Sequence, residues 1–103
     1  MAVTQAVVSV GTTAVQVSTD RPVRRSTDKF GAQSISVQNL STTADVYLGT
    51  SAVTSSAYGF FLPRRASSTS IPASVSIDLY PGESLWAVAS AAATSVAVLQ
   101  RGL

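Results

Sequence analysis

The chain has 103 residues, of which 46% are hydrophobic and only 12% charged, with a formal net charge of +2 and neither cysteine nor histidine. A chain of this length is one domain with one modest core. The missing cysteines exclude a disulfide framework and a thiolate metal site, and the missing histidines remove the usual base for a serine nucleophile. Six Arg and one Lys against five acids make the high pI a matter of few acids, too weak a field for a general nucleic-acid protein.

Ser and Thr, 28 together, fill the place of charge, and 14 Val against seven Leu favour strands over helices. Met1 to Gln5 lacks the basic start of a signal peptide. The longest apolar stretch, Leu85 to Leu99, is shorter than the ~20 residues that span a bilayer. The expectation is a soluble protein made in the cytoplasm, with no membrane partner. Val3 to Val10 and Ala14 to Ser18 read as two short strands joined around Gly11-Thr12-Thr13, with Val15 and Val17 inward and Gln16 and Ser18 outward. Alternation blurs at Val7-Val8, for which a bulge and an arm exchanged between subunits are both explanations. Residues 1–18 therefore form N-terminal strands or an exchanged arm, and Val3, Val7 and Val8 are candidate oligomer contacts.

Residues 19–33 differ in kind. Arg21, Arg24, Arg25 and Lys29 fall within Asp20-Arg21-Pro22-Val23-Arg24-Arg25-Ser26-Thr27-Asp28-Lys29-Phe30-Gly31, with no apolar period between Pro22 and Gly31. This is a long basic loop of the same domain, and loops above ~12 residues are usually functional or disordered. Two readings compete, a solvated loop with its Arg residues paired to Asp20 and Asp28, and a contact element for an acidic protein surface; a phosphate backbone ranks below both.

The main sandwich is expected over residues 34–103. Ser34 to Gln38, with Ile35 and Val37 inward, and Asp45 to Gly49, with Val46 and Leu48 inward, are strands joined by a hairpin-like connection over 39–44. A polar turn follows Gly49, then a short aromatic strand, Gly59 to Leu62, ended by Pro63. The next loop, Arg64 to Ser74, carries Arg64 and Arg65, either solvated or a second contact patch. Val75 to Tyr80 alternates strictly, with Val75, Ile77 and Leu79 inward and Ile77 fully buried. Pro81-Gly82 fits a type II turn, which splays simple hairpins, so the link is a longer loop or a corner between sheets. Leu85 to Ala89 and Val96 to Leu99 are apolar on both faces, as central strands covered on each side are, and Ala91 to Ala93 links them. The fold class is all-β, one small antiparallel sandwich of jelly-roll or immunoglobulin-like form with about seven or eight short strands.

Arrangements that look reactive do not assemble. Asp78 and Glu83 flank the Pro-Gly turn, which places them on a rim without cleft residues rather than as a paired acid and base. Any of 17 Ser lacks a histidine partner, and Gly49 and Gly59 stand alone rather than in a phosphate-binding loop. Trp86 reads as a core or core-edge residue, with a sugar-stacking or interface anchor as the alternative. No cofactor, metal or small-molecule substrate is expected.

From about Ser34 to Gly102 the sequence resembles small β-sandwich structural proteins of tailed bacteriophage virions. The likeness lies in Ile35-Ser36-Val37-Gln38-Asn39, Val46-Tyr47-Leu48-Gly49, Val53-Thr54, Gly59, Leu62-Pro63 and Ile77-Asp78-Leu79. It continues through Pro81-Gly82-Glu83-Ser84-Leu85-Trp86-Ala87-Val88-Ala89 and closes on Val96-Ala97-Val98-Leu99. Arg64 departs from it, standing where a Gly is expected. The resemblance implies a non-enzymatic capsid decoration or minor head protein on the virion surface. Its partners would be the major capsid protein and itself, as a dimer or trimer. Arg21, Arg24, Arg25, Lys29, Arg64 and Arg65 are then candidate capsid contacts on charge alone. A head–tail connector or tail component, and a carbohydrate- or receptor-binding sandwich, are the alternatives.

Overall fold

The computed structural model describes residues 3–19, 33–80 and 82–101, in which eight β-strands and no helix follow one another. They are β1 (Val3–Val10), β2 (Val15–Gln16), β3 (Gln33–Asn39), β4 (Val46–Gly49), β5 (Phe60–Leu62), β6 (Ser74–Leu79), β7 (Trp86–Ala89) and β8 (Thr94–Arg101). All pairings are antiparallel. β1 pairs with β8, β2 with β7, β3 with β6 and β4 with β5. The chain is thus one long hairpin, bent back between β4 and β5 and then rolled so that β3 also meets β8 and β4 also meets β7. The result is two four-stranded sheets, β1-β8-β3-β6 and β2-β7-β4-β5. This wrapping is that of a jelly roll, which settles the form of the sandwich.

Period-two alternation builds the core. Val10, Ile35, Val37, Leu79, Val96 and Val98 point inward from the first sheet, and Val46, Leu48, Leu62, Ala87 and Ala89 from the second. Gly82 has φ +87° and the Glu83 N–H donates to the Tyr80 carbonyl at 3.0 Å, as a Pro-Gly type II turn requires. Since β6 and β7 lie in different sheets, this turn is a corner.

Several expectations change. The 39–44 connection is not hairpin-like but crosses between sheets, since β3 and β4 belong to different ones. Asn39 holds the crossing: fully buried, its Nδ2 donates to the Ala44 and Leu62 carbonyls at 3.0 and 2.9 Å, and its Oδ1 accepts from the Ser41 N–H at 2.9 Å. No bulge interrupts β1, whose register against β8 of its own chain runs unbroken from Val3↔Arg101 to Val10↔Thr94. The Val7-Val8 blur arises because Val7 lies on the exposed face of an edge strand. Ser18 is buried rather than outward, its hydroxyl accepting the Leu85 N–H at 2.9 Å. Ile77 is only half-buried, because β6 is the far edge of its sheet. β7 and β8 are central in their sheets, but the outer face of β8 is open, leaving Leu99 46% exposed.

Candidate functional site

Arg21, Arg24, Arg25 and Lys29 lie outside the described residues. The chain on either side of them is anchored by one side chain that the sequence did not single out. Gln100, buried at the end of β8, accepts the Thr19 N–H at 2.8 Å and donates to the Thr19 carbonyl at 3.0 Å and to Gln33 Oε1. Its amide therefore satisfies both backbone groups of Thr19 as a neighbouring strand would, and it also meets Gln33 at the start of β3. A buried amide is tolerated when its donors and acceptor are used in this way.

Arg64 and Arg65 occupy different environments despite adjacency. The Arg64 guanidinium grips Asp45 with Nε to Oδ1 at 3.2 Å and Nη2 to Oδ2 at 3.1 Å, and its backbone N–H adds a third bond to Oδ1 at 3.0 Å. The guanidinium contact first, and the backbone N–H second, hold the Asp45 carboxyl below the usual carboxylate range. Arg65 braces two connections instead, donating from Nε and Nη2 to the Leu40 carbonyl at 3.1 and 2.7 Å and from Nη1 to the Ser68 carbonyl at 3.1 Å.

The outer face of the second sheet carries aromatic rings that residue patterns only half revealed. Tyr47 alternates with the inward Val46 and Leu48 and so faces out, and its register partner on β5 is Phe61. The 50–59 segment returns Tyr58 beside them. Ring centroids lie 5.0 Å apart for Tyr47–Tyr58, 5.3 Å for Tyr47–Phe61 and 6.2 Å for Tyr58–Phe61. Tyr58 and Phe61 are 48% and 44% exposed. On the same face Trp86 lies opposite Gly49, half-buried, its Nε1 donating to the Ser84 hydroxyl at 3.0 Å. A Cβ at 49 would approach the Val53 side chain to 3.2 Å, so any larger residue there requires Val53 to shift.

The outer face of the first sheet is different chemistry. Ser36 and Ser76 hydroxyls meet at 2.7 Å, and the Ser34 hydroxyl donates to Asp78 at 3.2 Å. Beside them runs a shallow groove of about 580 Å³ bordered by Gln5, Val7, Ala97 and Leu99. Val3 and Val7 face this side, 65% and 68% exposed, whereas Val8 points toward the core and packs against it. Asp78 and Glu83 serve local structure, Glu83 accepting the Tyr80 N–H at 2.7 Å. Among the described residues there is no group of three His, Cys, Asp or Glu side chains placed to hold a metal ion, and no helix is long and apolar enough to cross a membrane. The described surface therefore carries an exposed aromatic cluster on one sheet and a hydroxyl-lined face on the other, with β1 at the edge of the latter. No protein-family model, curated protein or solved structure matches this chain.

Proposed function

We propose that the chain is a non-enzymatic structural protein of a tailed-phage virion, a decoration protein that binds the outer face of the capsid lattice as a homo-oligomer. The virion assignment rests on the sequence resemblance. The observation that carries a binding role is the Tyr47–Tyr58–Phe61 cluster, because exposed Tyr and Phe grouped on a rigid sheet are what the centres of protein interfaces are made of. Interplanar angles of 54°, 41° and 45° leave the three rings no common plane. A sugar chain stacks best on a flat platform, so these angles favour a protein partner over the carbohydrate-binding alternative.

The test is occupancy of undecorated phage shells. Tyr58→Ser/Phe61→Ser should fold, since both rings are about half exposed and lie outside the buried core, and should bind with a loss of about 2 kcal/mol or more if they anchor the interface. Unchanged occupancy by the folded variant would remove the aromatic cluster from the contact. Antibody labelling in electron microscopy should place the wild-type protein on the head; signal at the neck or tail would move it to the connector or tail reading. Retention on glycan arrays would instead favour the carbohydrate-binding one.

A further inference from the structure

β1 ends its sheet, so among the described residues no strand lies on its far side. Such an edge offers a row of backbone N–H and C=O groups to another strand unless shortness, charge, proline or a bulge blocks it. β1 has none of these defences. It runs for eight residues, Val-Thr-Gln-Ala-Val-Val-Ser-Val, without charge or proline and with unbroken register. The other edges are blunted: β2 and β5 have two and three residues, and β6 carries Asp78.

We propose that β1 is the self-association edge of this protein, pairing antiparallel with β1 of a second copy about a twofold axis. The β1-β8-β3-β6 sheets of the two copies then become one continuous sheet. Like faces of the two sheets meet only when the outward residues of one β1, of which Val3, Gln5 and Val7 are three, stand opposite outward residues of the other. The register centred on Gln5 does this, setting Val3 against Val7 of the second copy and Gln5 against Gln5. Val3 and Val7, 65% and 68% exposed in the single chain, are then covered by apolar partners. Charge also selects this occupant: a strand with no charged residue repels no copy of itself, and gives an acidic or basic peptide nothing to pair with. The contact is isologous and closes at two subunits rather than growing into a fibre. One ladder falls below the ~800 Å² per partner of a standard interface, so the dimer is reversible. This inference stands on the strand edge, independently of whether the partner is a capsid.

Because the chain has no cysteine, one introduced thiol reports one contact. Under mild oxidation Gln5→Cys should give a dimer linked through position 5, whereas Asp78→Cys, on the opposite edge strand, should not. Sedimentation of the wild type should show the mass rising with concentration from 10.6 kDa toward twice that value. Gln5→Lys/Val7→Lys, which sets like charges across the twofold, should weaken association by at least about tenfold. Mixing Gln5→Cys chains with Leu99→Cys chains tests the other arrangement, since Gln5 faces Leu99 of its own chain and a mixed 5–99 disulfide arises only if β1 is exchanged. That disulfide, a wild type that stays monomeric at all concentrations, or a dimer that neither links through position 5 nor responds to lysine would each overturn the proposal. The cysteine variants carry no added charge and decide the matter if the lysine variant fails to fold.

Discussion

Ile35 and Ile77 oppose each other across β3 and β6, with the same side chain and the same inward direction, yet their burial differs. Ile35 is 1% exposed on a central strand, while Ile77 is half-buried at the sheet edge. Ile35→Ala should therefore cost about 2–5 kcal/mol, and Ile77→Ala clearly less; equal losses in urea unfolding would mean that the edge is covered in solution. Asp45 supplies a pH test. Its carboxyl is held below the ordinary value by Arg64, so the pair contributes its stability at pH above the unfolded carboxyl range. That contribution is lost as pH falls through the lower, folded-state value. Asp45→Asn keeps an acceptor for the Arg64 N–H but loses the charge. The variant should melt slightly below wild type at neutral pH, and the gap should close on acidification. A gap that persisted below that range would show that charge is not the cause.

The crossings between sheets, more than the strands, determine how the elements assemble. β3 to β4 and β6 to β7 each step from one sheet to the other, the second through the corner at Gly82 and the first around the Asn39 amide. The Asn39 donors reach both the crossing itself, at Ala44, and the end of β5, at Leu62. Asn39→Asp removes both donors and adds a buried charge, which should cost on the order of 3 kcal/mol or more. A loss below ~1 kcal/mol in chemical denaturation would show that water reaches the crossing and replaces the amide.

At the scale of the whole molecule, the proposed contacts fall on separate parts of the chain: aromatic rings on one sheet, an open edge on the other, and, in sequence, the basic stretch between Thr19 and Gln33, both of which bond Gln100. The capsid reading predicts a division of labour. Replacing Arg21, Arg24, Arg25 and Lys29 together by Ser should leave the melting temperature almost unchanged, because surface ion pairs contribute only ~0–1 kcal/mol. Occupancy of shells should fall, and added salt should weaken the wild type in the same direction. Wild-type occupancy by the variant at low salt would remove these charges from the contact.

Strand class and face were legible in the residues themselves. Alternation in Ile35-Ser36-Val37, Val46-Tyr47-Leu48 and Val75-Ser76-Ile77 assigns an inward and an outward side because a strand repeats every two residues, a local property of the backbone. The Pro81-Gly82 turn was legible for the same reason, through the positive φ that Gly supplies. Partner choice is not local. Nothing in Asn39 to Ala44 tells a hairpin from a crossing, and nothing in Ile77 tells an edge from a centre, because both depend on which strands, far apart in sequence, lie alongside. Tyr47, Tyr58 and Phe61 each look like ordinary outward aromatics until β4 and β5 pair and the 50–59 segment folds back over them. Composition and period thus determined a hydroxyl-rich, all-β sandwich. Only the rolling of the long hairpin decided which edge stays open, which face carries the aromatic cluster and which amide secures the chain on either side of the basic stretch.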